Sequence, residues 1–351
     1  MKKSKIKIMI LTFSLLLTAD CQSEYKKDHI YEEKKTKIAI VFNEDGLGDR
    51  SFNDLCYDGM LKAQEELKIE FDYSQGKNKE EYYDLFRKYA SSKEYNLIIG
   101  HGEDQEEAIN RVSEEYDGQK FTIIDSELKS KNVSAISTKW EEQTFLNGVI
   151  AGLSILNNLD TTETVGIILG KNHEYLKEGA IGFEAGVRYI NPDIEPIIAN
   201  VNDFSNPAKT KEIALLMYKK RAKYIQHIAG QSGFGVFAAA KQTDNYAFGV
   251  DGNQNIFEPD YIVSTAIRYV DKIVYDEIKS VIDSTWKPGV HKLGLKDNII
   301  GYTREGSNVE LDSKIIKIVE DIKESIVNGE IEIPSTHKQL EVWVKQNNYK
   351  S

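Results

Sequence analysis

Short apolar runs alternate with stretches of helical periodicity along most of the chain. Positions 38–42 form a continuous apolar run, and 51–67 then spaces Leu55, Met60, Ala63 and Leu67 at roughly helical intervals. Residues 69–73 alternate with period two, and 79–90 bring Tyr83, Phe86 and Tyr89 near one helical face. Strands are predicted at 96–99, 121–124 and 133–137, with a helix over about 105–116. Such a succession predicts a doubly wound parallel sheet, whose right-handed crossovers gather all strand carboxyl ends on one edge.

The second half repeats the rhythm. A strand at 165–169, a helix at 174–189 ended by Asn191-Pro192, a strand at 194–199 interrupted by Pro196 and a helix at 207–218 come first. A strand at 224–228, a Gly-rich turn at 229–235, a helix through Lys241 and a strand at 246–250 follow. Two similar halves imply two lobes facing a cleft, bridged by residues 140–156, helical and rich in small residues at Gly148, Ala151 and Gly152. Beyond Asp260 a strand at 261–265, a helix at 268–282, a short strand at 299–302 and a long helix at 313–327 carry the chain back between lobes. The expected N-lobe is 37–140 plus about 266–295, and the C-lobe 141–265 plus about 296–349. Multiple crossings make a stiff hinge suited to closing on a ligand.

The chain's 351 residues exceed one comfortable core and agree with two lobes. A net charge of −11 and a pI near 5.2 argue against nucleic acid as a partner. Two cysteines, Cys21 and Cys56, are too few for a disulfide framework. At the N-terminus, Lys2, Lys3, Lys5 and Lys7 lead into an apolar run over 8–17 that is too short to span a bilayer and reads as a secretory signal. Thr18-Ala-Asp-Cys21 follows at once and looks like a bacterial lipoprotein signal, with Asp20 where a small residue is usual. Residues 1–20 are then the signal peptide and Cys21 the lipidated residue, carrying palmitate-type acylation. Polar residues 21–36 form a tether lifting the domain off a membrane in the cell envelope, either the periplasmic face of the inner membrane or the outer surface.

Candidate chemistry collects in three loops at strand ends: 43–54, 229–237 and 251–255. In the first, Gly46 and Gly48 permit a tight turn, Asp45, Asp49 and Asn53 supply polar groups, Ser51 is the expected N-cap with Asp54 three residues on, and Phe52 is the one aromatic at the strand's carboxyl end. Open α/β sheets bind ligands at this edge. A flat ring held between Phe52 and Phe237 or Phe234, with carboxylates taking hydroxyl donors, is the chemistry these residues support.

Gly48-Asp-Arg-Ser-Phe-Asn53, Glu142 with Phe145-Leu-Asn-Gly148, Gly182-Phe-Glu-Ala-Gly186 with Asn191-Pro192, Ala229 through Phe237, Gly249-Val-Asp251 and Val270-Asp271 resemble the basic membrane protein family of purine nucleoside receptor lipoproteins. The resemblance spans essentially the whole mature chain. It implies a type I periplasmic-binding-protein fold, a lipid anchor, no cofactor, and capture of a purine nucleoside such as inosine, guanosine or adenosine for an ABC permease. By position it implies that Phe52 and the Phe of Gly233-Phe-Gly-Val-Phe237 stack the purine and Asp251 accepts ribose hydroxyls, with Asn43, Asp49, Ser51, Asn53, Gly230 and Arg268 completing the site. Departures accompany the match: Asn43 stands where the family has an aspartate, Arg268 where it has a lysine, and Glu103 where it has an aromatic. An amide offers one acceptor and one donor in place of two acceptors, and guanidinium donor directions differ from those of an ammonium.

Two rival functions follow from the same residues. An enzyme would need a nucleophile elbow or metal-ligand spacing, and neither Gly-x-Ser-x-Gly nor a paired arrangement around His101, His173 or His227 occurs, so no catalysis is expected. An adhesion lipoprotein that keeps the fold, loses the pocket and contacts host extracellular-matrix proteins is the other, motivated by Asn43, Glu103 and the lysines at 219, 220 and 223.

Overall fold

The structure, a computed structural model, describes residues 35–44, 46–49, 51–157 and 163–349, so the predicted signal peptide, Cys21 and most of the tether lie outside the described residues. The first half runs β1 (Lys37–Phe42), α1 (Phe52–Leu67), β2 (Glu70–Gln75), α2 (Lys79–Ser92), β3 (Leu97–His101), α3 (Glu103–Glu115), β4 (Phe121–Ile124) and β5 (Val133–Thr138). The second runs α4 (Trp140–Leu156), β6 (Thr164–Leu169), α5 (Glu174–Ile190), β7 (Ile197–Asn200), α6 (Pro207–Lys219), β8 (Ala222–Ile228), α7 (Phe234–Thr243), β9 (Tyr246–Asp251) and β10 (Ile262–Arg268). The return comprises α8 (Val270–Ile282), β11 (Gly289–Leu293), β12 (Ile300–Thr303), α9 (Ser313–Val327) and α10 (His337–Gln346).

Two six-stranded sheets result, ordered β11-β5-β4-β3-β1-β2 and β12-β10-β9-β8-β6-β7. All pairings are parallel except β10 with β12. The continuous apolar run of β1 has a direct cause. Ile38, Ile40 and Phe42 face a core shared with Met60 of α1, while Ala39 and Val41 face one shared with Phe86 of α2, so both sides of the strand are covered.

Each sheet receives one strand from the return. β11 pairs with β5 and β12 with β10, so the chain passes between lobes at 138–140, 268–270 and 293–300. These crossings are tied together: Lys139 donates its backbone N–H to Leu293 at 2.8 Å, Tyr269 donates to Ile299 at 2.9 Å, and the Glu142 carboxylate accepts the N–H of Leu295 at 2.9 Å. β11 and α10 were not anticipated from the sequence. Pro196 precedes β7 instead of interrupting it, because its ring cannot donate to the ladder. Arg268 ends β10 instead of starting a helix, which moves its side chain to the ligand edge.

Among the described residues no helix is long and apolar enough to cross a membrane. α4 is buried from Trp140 through Ile155, and its closest neighbour is α5. Glycines set that crossing. A Cβ on Gly148 would lie 2.2 Å from the Phe183 carbonyl oxygen, on Gly182 2.1 Å from the Glu141 oxygen, and on Gly186 2.1 Å from the Phe145 oxygen. The small-residue pattern of 140–156 thus has its counterpart at 182–186, and the pair locks α4 to the second lobe.

Glu141, in the first turn of α4, is 7 % exposed and its Oε2 lacks a partner among the described residues. Burial pushes its carboxyl up to about 7, offset only in part by its own backbone N–H and by Lys292. A folded-state pKa above the unfolded value means that the folded form binds its proton more tightly, so stability falls as pH rises through that window.

Two outcomes follow for this frame. Gly186→Ala should destabilise by at least about 2 kcal/mol, because backbone on both sides of the contact cannot yield, whereas Gly118→Ala, with open space around it, should leave the chemical-denaturation midpoint nearly unchanged. Glu141→Gln should raise the melting temperature at pH 8, reflecting at most about 3 kcal/mol of relieved burial cost, and the gain should vanish toward pH 4.5. An equal gain at both pH values would contradict this assignment.

Candidate ligand-binding cleft

The carboxyl edges of the two sheets face each other across a cavity whose empty space, counting its open mouth, is about 620 Å³. The first lobe contributes Asn43, Asp49, Ser51, Phe52, Asn53, His101, Gly102 and Asp125 to its lining; the second contributes Tyr175, Phe204, Gly230, Asp251 and Arg268, with Trp140 at the crossing.

The loop after β1 is turned by Gly46 and Gly48, at φ of 64° and 94°. Asp49, and not Ser51, caps α1: its carboxylate accepts the N–H groups of Ser51 at 2.9 Å, Asn53 at 2.8 Å and Asp54 at 3.2 Å, and the Asn53 amide at 2.9 Å. Burial pushes the Asp49 carboxyl above its ordinary value, and those hydrogen bonds pull it back. Four donors saturate this carboxylate, so Asp49 shapes the loop and has little left for a ligand. The expected pairing of Ser51 with Asp54 does not form; Asp54 accepts the Gly48 N–H at 2.7 Å. Ser51, freed from capping, donates its hydroxyl across the cleft to Asp251 Oδ2 at 3.0 Å.

At the centre, Arg268 is 2 % exposed and bridges the lobes: its Nη1 meets Asp125 Oδ1 at 2.6 Å and its Nε meets Asp251 Oδ1 at 3.0 Å. Both acids hold left-handed backbone, at φ of 59° and 64°, a conformation that costs on the order of 1 kcal/mol outside glycine and marks strand ends bent toward a site. Burial would lower the Arg268 pKa, but the two carboxylates outweigh it and hold it above its usual value. Burial likewise pushes Asp125 up against the pull of Arg268. The guanidinium carbon lies 4.2 Å from the Trp140 ring centroid and 4.8 Å from that of Phe52, so the cation is packed between aromatic faces.

Phe234 and Phe237 are not at the cavity. The turn after β8 is a short 3-10 segment (Gly230–Gly233), and α7 begins at Phe234, so of residues 229–237 it is Ala229, Gly230 and Gln231 that line the cavity. Phe237 is 2 % exposed within the core outside the second sheet, against His227 at 5.1 Å and Phe234 at 5.7 Å; Phe234 also meets Phe257 at 5.0 Å. Spaced three apart on one helix, the two rings share the face that packs inward. Neither ring is therefore placed to stack on a ligand in the cavity, contrary to the expectation from the sequence.

The second-lobe aromatics at the cavity are Tyr175 of α5 and Phe204, from the loop between β7 and α6, neither of which was expected from the sequence. A lone aromatic in the polar stretch Asn202-Asp-Phe-Ser-Asn206 after a strand was the available signal. Phe204 stacks on His173 at 6.3 Å, and His173 stacks on Tyr175 at 5.4 Å. His173 Nδ1 also lies 2.7 Å from the Glu103 carboxylate, while Lys171 pairs with Glu44 at 2.9 Å and Asp104 at 3.4 Å, so the mouth is spanned by polar contacts between lobes. Glu103 therefore serves the contact between lobes. Among the described residues no group of His, Cys, Asp or Glu has the arrangement of a metal site.

Comparison with known proteins agrees with this architecture. The family model described as ABC transporter substrate-binding protein PnrA-like matches residues 35–337. An uncharacterised lipoprotein of Pyrococcus abyssi is 31 % identical over 360 residues, covering 90 % of this chain and 88 % of its own. Basic membrane protein A of Borreliella burgdorferi is 24 % identical over 319 residues, covering 88 % and 91 %. The crystal structure of an ABC transporter solute-binding protein from Aeropyrum pernix superposes with a TM-score of 0.79 at 24 % identity, covering 89 % of this chain and 98 % of that one, and supports the type I periplasmic-binding-protein fold. With its two parallel-sheet lobes and the family match across nearly all described residues, this chain belongs to the basic membrane protein family of PnrA-like ABC transporter substrate-binding proteins.

Proposed function

We propose that this substrate-binding protein captures a purine nucleoside and delivers it to an ABC permease while anchored to an envelope membrane through acylated Cys21. The observation that carries the ligand reading is a cavity walled by an aromatic from each lobe, Phe52 and Phe204, with Asp125, Arg268 and Asp251 on its floor. Aromatic faces reward a flat heterocycle, and carboxylates with spare lone pairs take paired hydroxyls. Asp251 gives one hydrogen bond site to Ser51 and one to Arg268, and each of its oxygens retains capacity for a further donor. Arg268, committed to both acids, orients them in place of contributing a free positive charge. The cavity weighs against a fold that has lost its pocket. The anchor reading is supported by the lipoprotein names of relatives matched across most of this chain.

Mass spectrometry of the small molecule that co-purifies with the soluble domain tests the ligand class directly. In calorimetry with a purine nucleoside, Phe204→Ala and Asp251→Ala should each weaken binding at least tenfold, which corresponds to about 1.4 kcal/mol. Phe237→Ala should lower thermal stability, as a core truncation does, with a smaller effect on affinity. Unchanged affinity in both cleft variants, or no nucleoside binding by the unaltered protein, would end this reading.

A further inference from the structure

His101 closes β3, and its ring lies at the cavity beside Phe52 at 4.9 Å and 67° and near Phe42 at 6.1 Å. It is 1 % exposed. Its backbone is pinned, with the N–H donating to Gln105 Oε1 at 2.9 Å while Gln105 in turn donates to the Val41 carbonyl at 3.1 Å. Its ring is not: neither Nδ1 nor Nε2 has a hydrogen-bond partner among the described residues. Each such orphan is a buried polar group deprived of the hydrogen bond it makes in water, and two on one ring at the cavity call for a partner from the ligand.

A second orphan sits on the same lobe. The Asn53 amide donates to Asn43 Oδ1 at 3.0 Å and Asp49 Oδ2 at 2.9 Å, yet its own Oδ1 is buried without a partner among the described residues. The charged groups of the cavity, by contrast, are bound to one another around Arg268. The cavity therefore offers a charged, hydroxyl-directed floor, and on the first lobe a set of neutral groups: Asn43, Asn53 and His101.

We infer that His101 is a specificity-determining residue that reads the hydrogen-bonding edge of the bound heterocycle, the ligand selecting its tautomer, so that 6-oxo and 6-amino purines are both accepted. This rests on the nucleoside reading above. Burial and the Arg268 charge lower the His101 pKa to about 3, so the ring is neutral at physiological pH and carries one donor and one acceptor. A 6-oxo purine presents N–H beside C=O, a 6-amino purine the reverse order. A fixed carboxylate satisfies only donors. A neutral imidazole turns the one ring nitrogen that faces the ligand from donor to acceptor by moving its single proton to the other ring nitrogen, and so pairs with an edge atom of either kind.

The test is calorimetry with inosine and adenosine, together with nitrogen NMR of the His101 ring in each complex. The unaltered protein should bind both within about fivefold of each other, less than the 1.4 kcal/mol of a tenfold gap. The ring should report different tautomers in the two complexes. His101→Phe, close in size and apolar, should weaken both ligands at least tenfold; His101→Gln, which keeps a donor and an acceptor, should recover most of that loss. His101→Phe with unaltered affinity for both nucleosides, or one tautomer common to both complexes, overturns the assignment of His101 while leaving nucleoside binding standing. Absence of binding in the unaltered protein overturns both. If His101→Phe fails to fold, the NMR comparison decides alone.

Discussion

A single guanidinium held between carboxylates from opposite lobes is the contact on which the cleft depends. Arg268 is nearly inaccessible to solvent, and so are Asp125 and Asp251, so each member of the trio is tolerable only because the others are there. Taking such ions out of water costs several kcal/mol apiece, and the mutual attraction at best balances it, so the arrangement is better understood as fixing geometry than as adding stability. Two acids against one cation leave an excess negative charge and free acceptor positions directed at the cavity. That surplus suits hydroxyl donors and disfavours an anionic ligand.

The frame around that contact is rigid where it must be and pliable where it can be. α4 and α5 approach until backbone meets backbone at their glycines, fusing the bridging helix to the second lobe. The three short crossings that join the lobes are themselves hydrogen-bonded to one another through Lys139 with Leu293 and Tyr269 with Ile299. Hinges of this kind concentrate the backbone change in a few residues at element ends. The contacts of Lys171 with Glu44 and Asp104, and of His173 with Glu103, register the lobes at the mouth.

Much of this was legible in advance, for identifiable reasons. Strands covered on both faces read as unbroken apolar runs, as at β1, and Phe52 stands out because no local pattern requires an aromatic between Ser51 and Asn53. Other elements left weaker traces. β11 is a half-exposed edge strand with only Val290 and Leu293 as apolar residues, and α10 buries just Leu340 and Val344, although its capping box, Thr336 with Gln339, is a readable start signal. Arg268 looked like a helix residue because polar and apolar positions around it satisfy either period.

What the chain determines by itself is periodicity, and with it the order of strands and helices, the two lobes and the edge where loops collect, since these follow from local propensity and from handed crossovers. What only the tertiary structure decides is direction. Whether Phe237 or Phe204 meets the cavity turns on where α7 begins and which face of it packs inward, and whether Asp49 binds or caps turns on which N–H groups the fold brings to it. The same holds for His101: a histidine after a strand is unremarkable as sequence, and it becomes informative when packing buries both nitrogens and supplies a partner for neither among the described residues. Side-chain direction depends on contacts between residues far apart in the chain, which no window of local sequence contains.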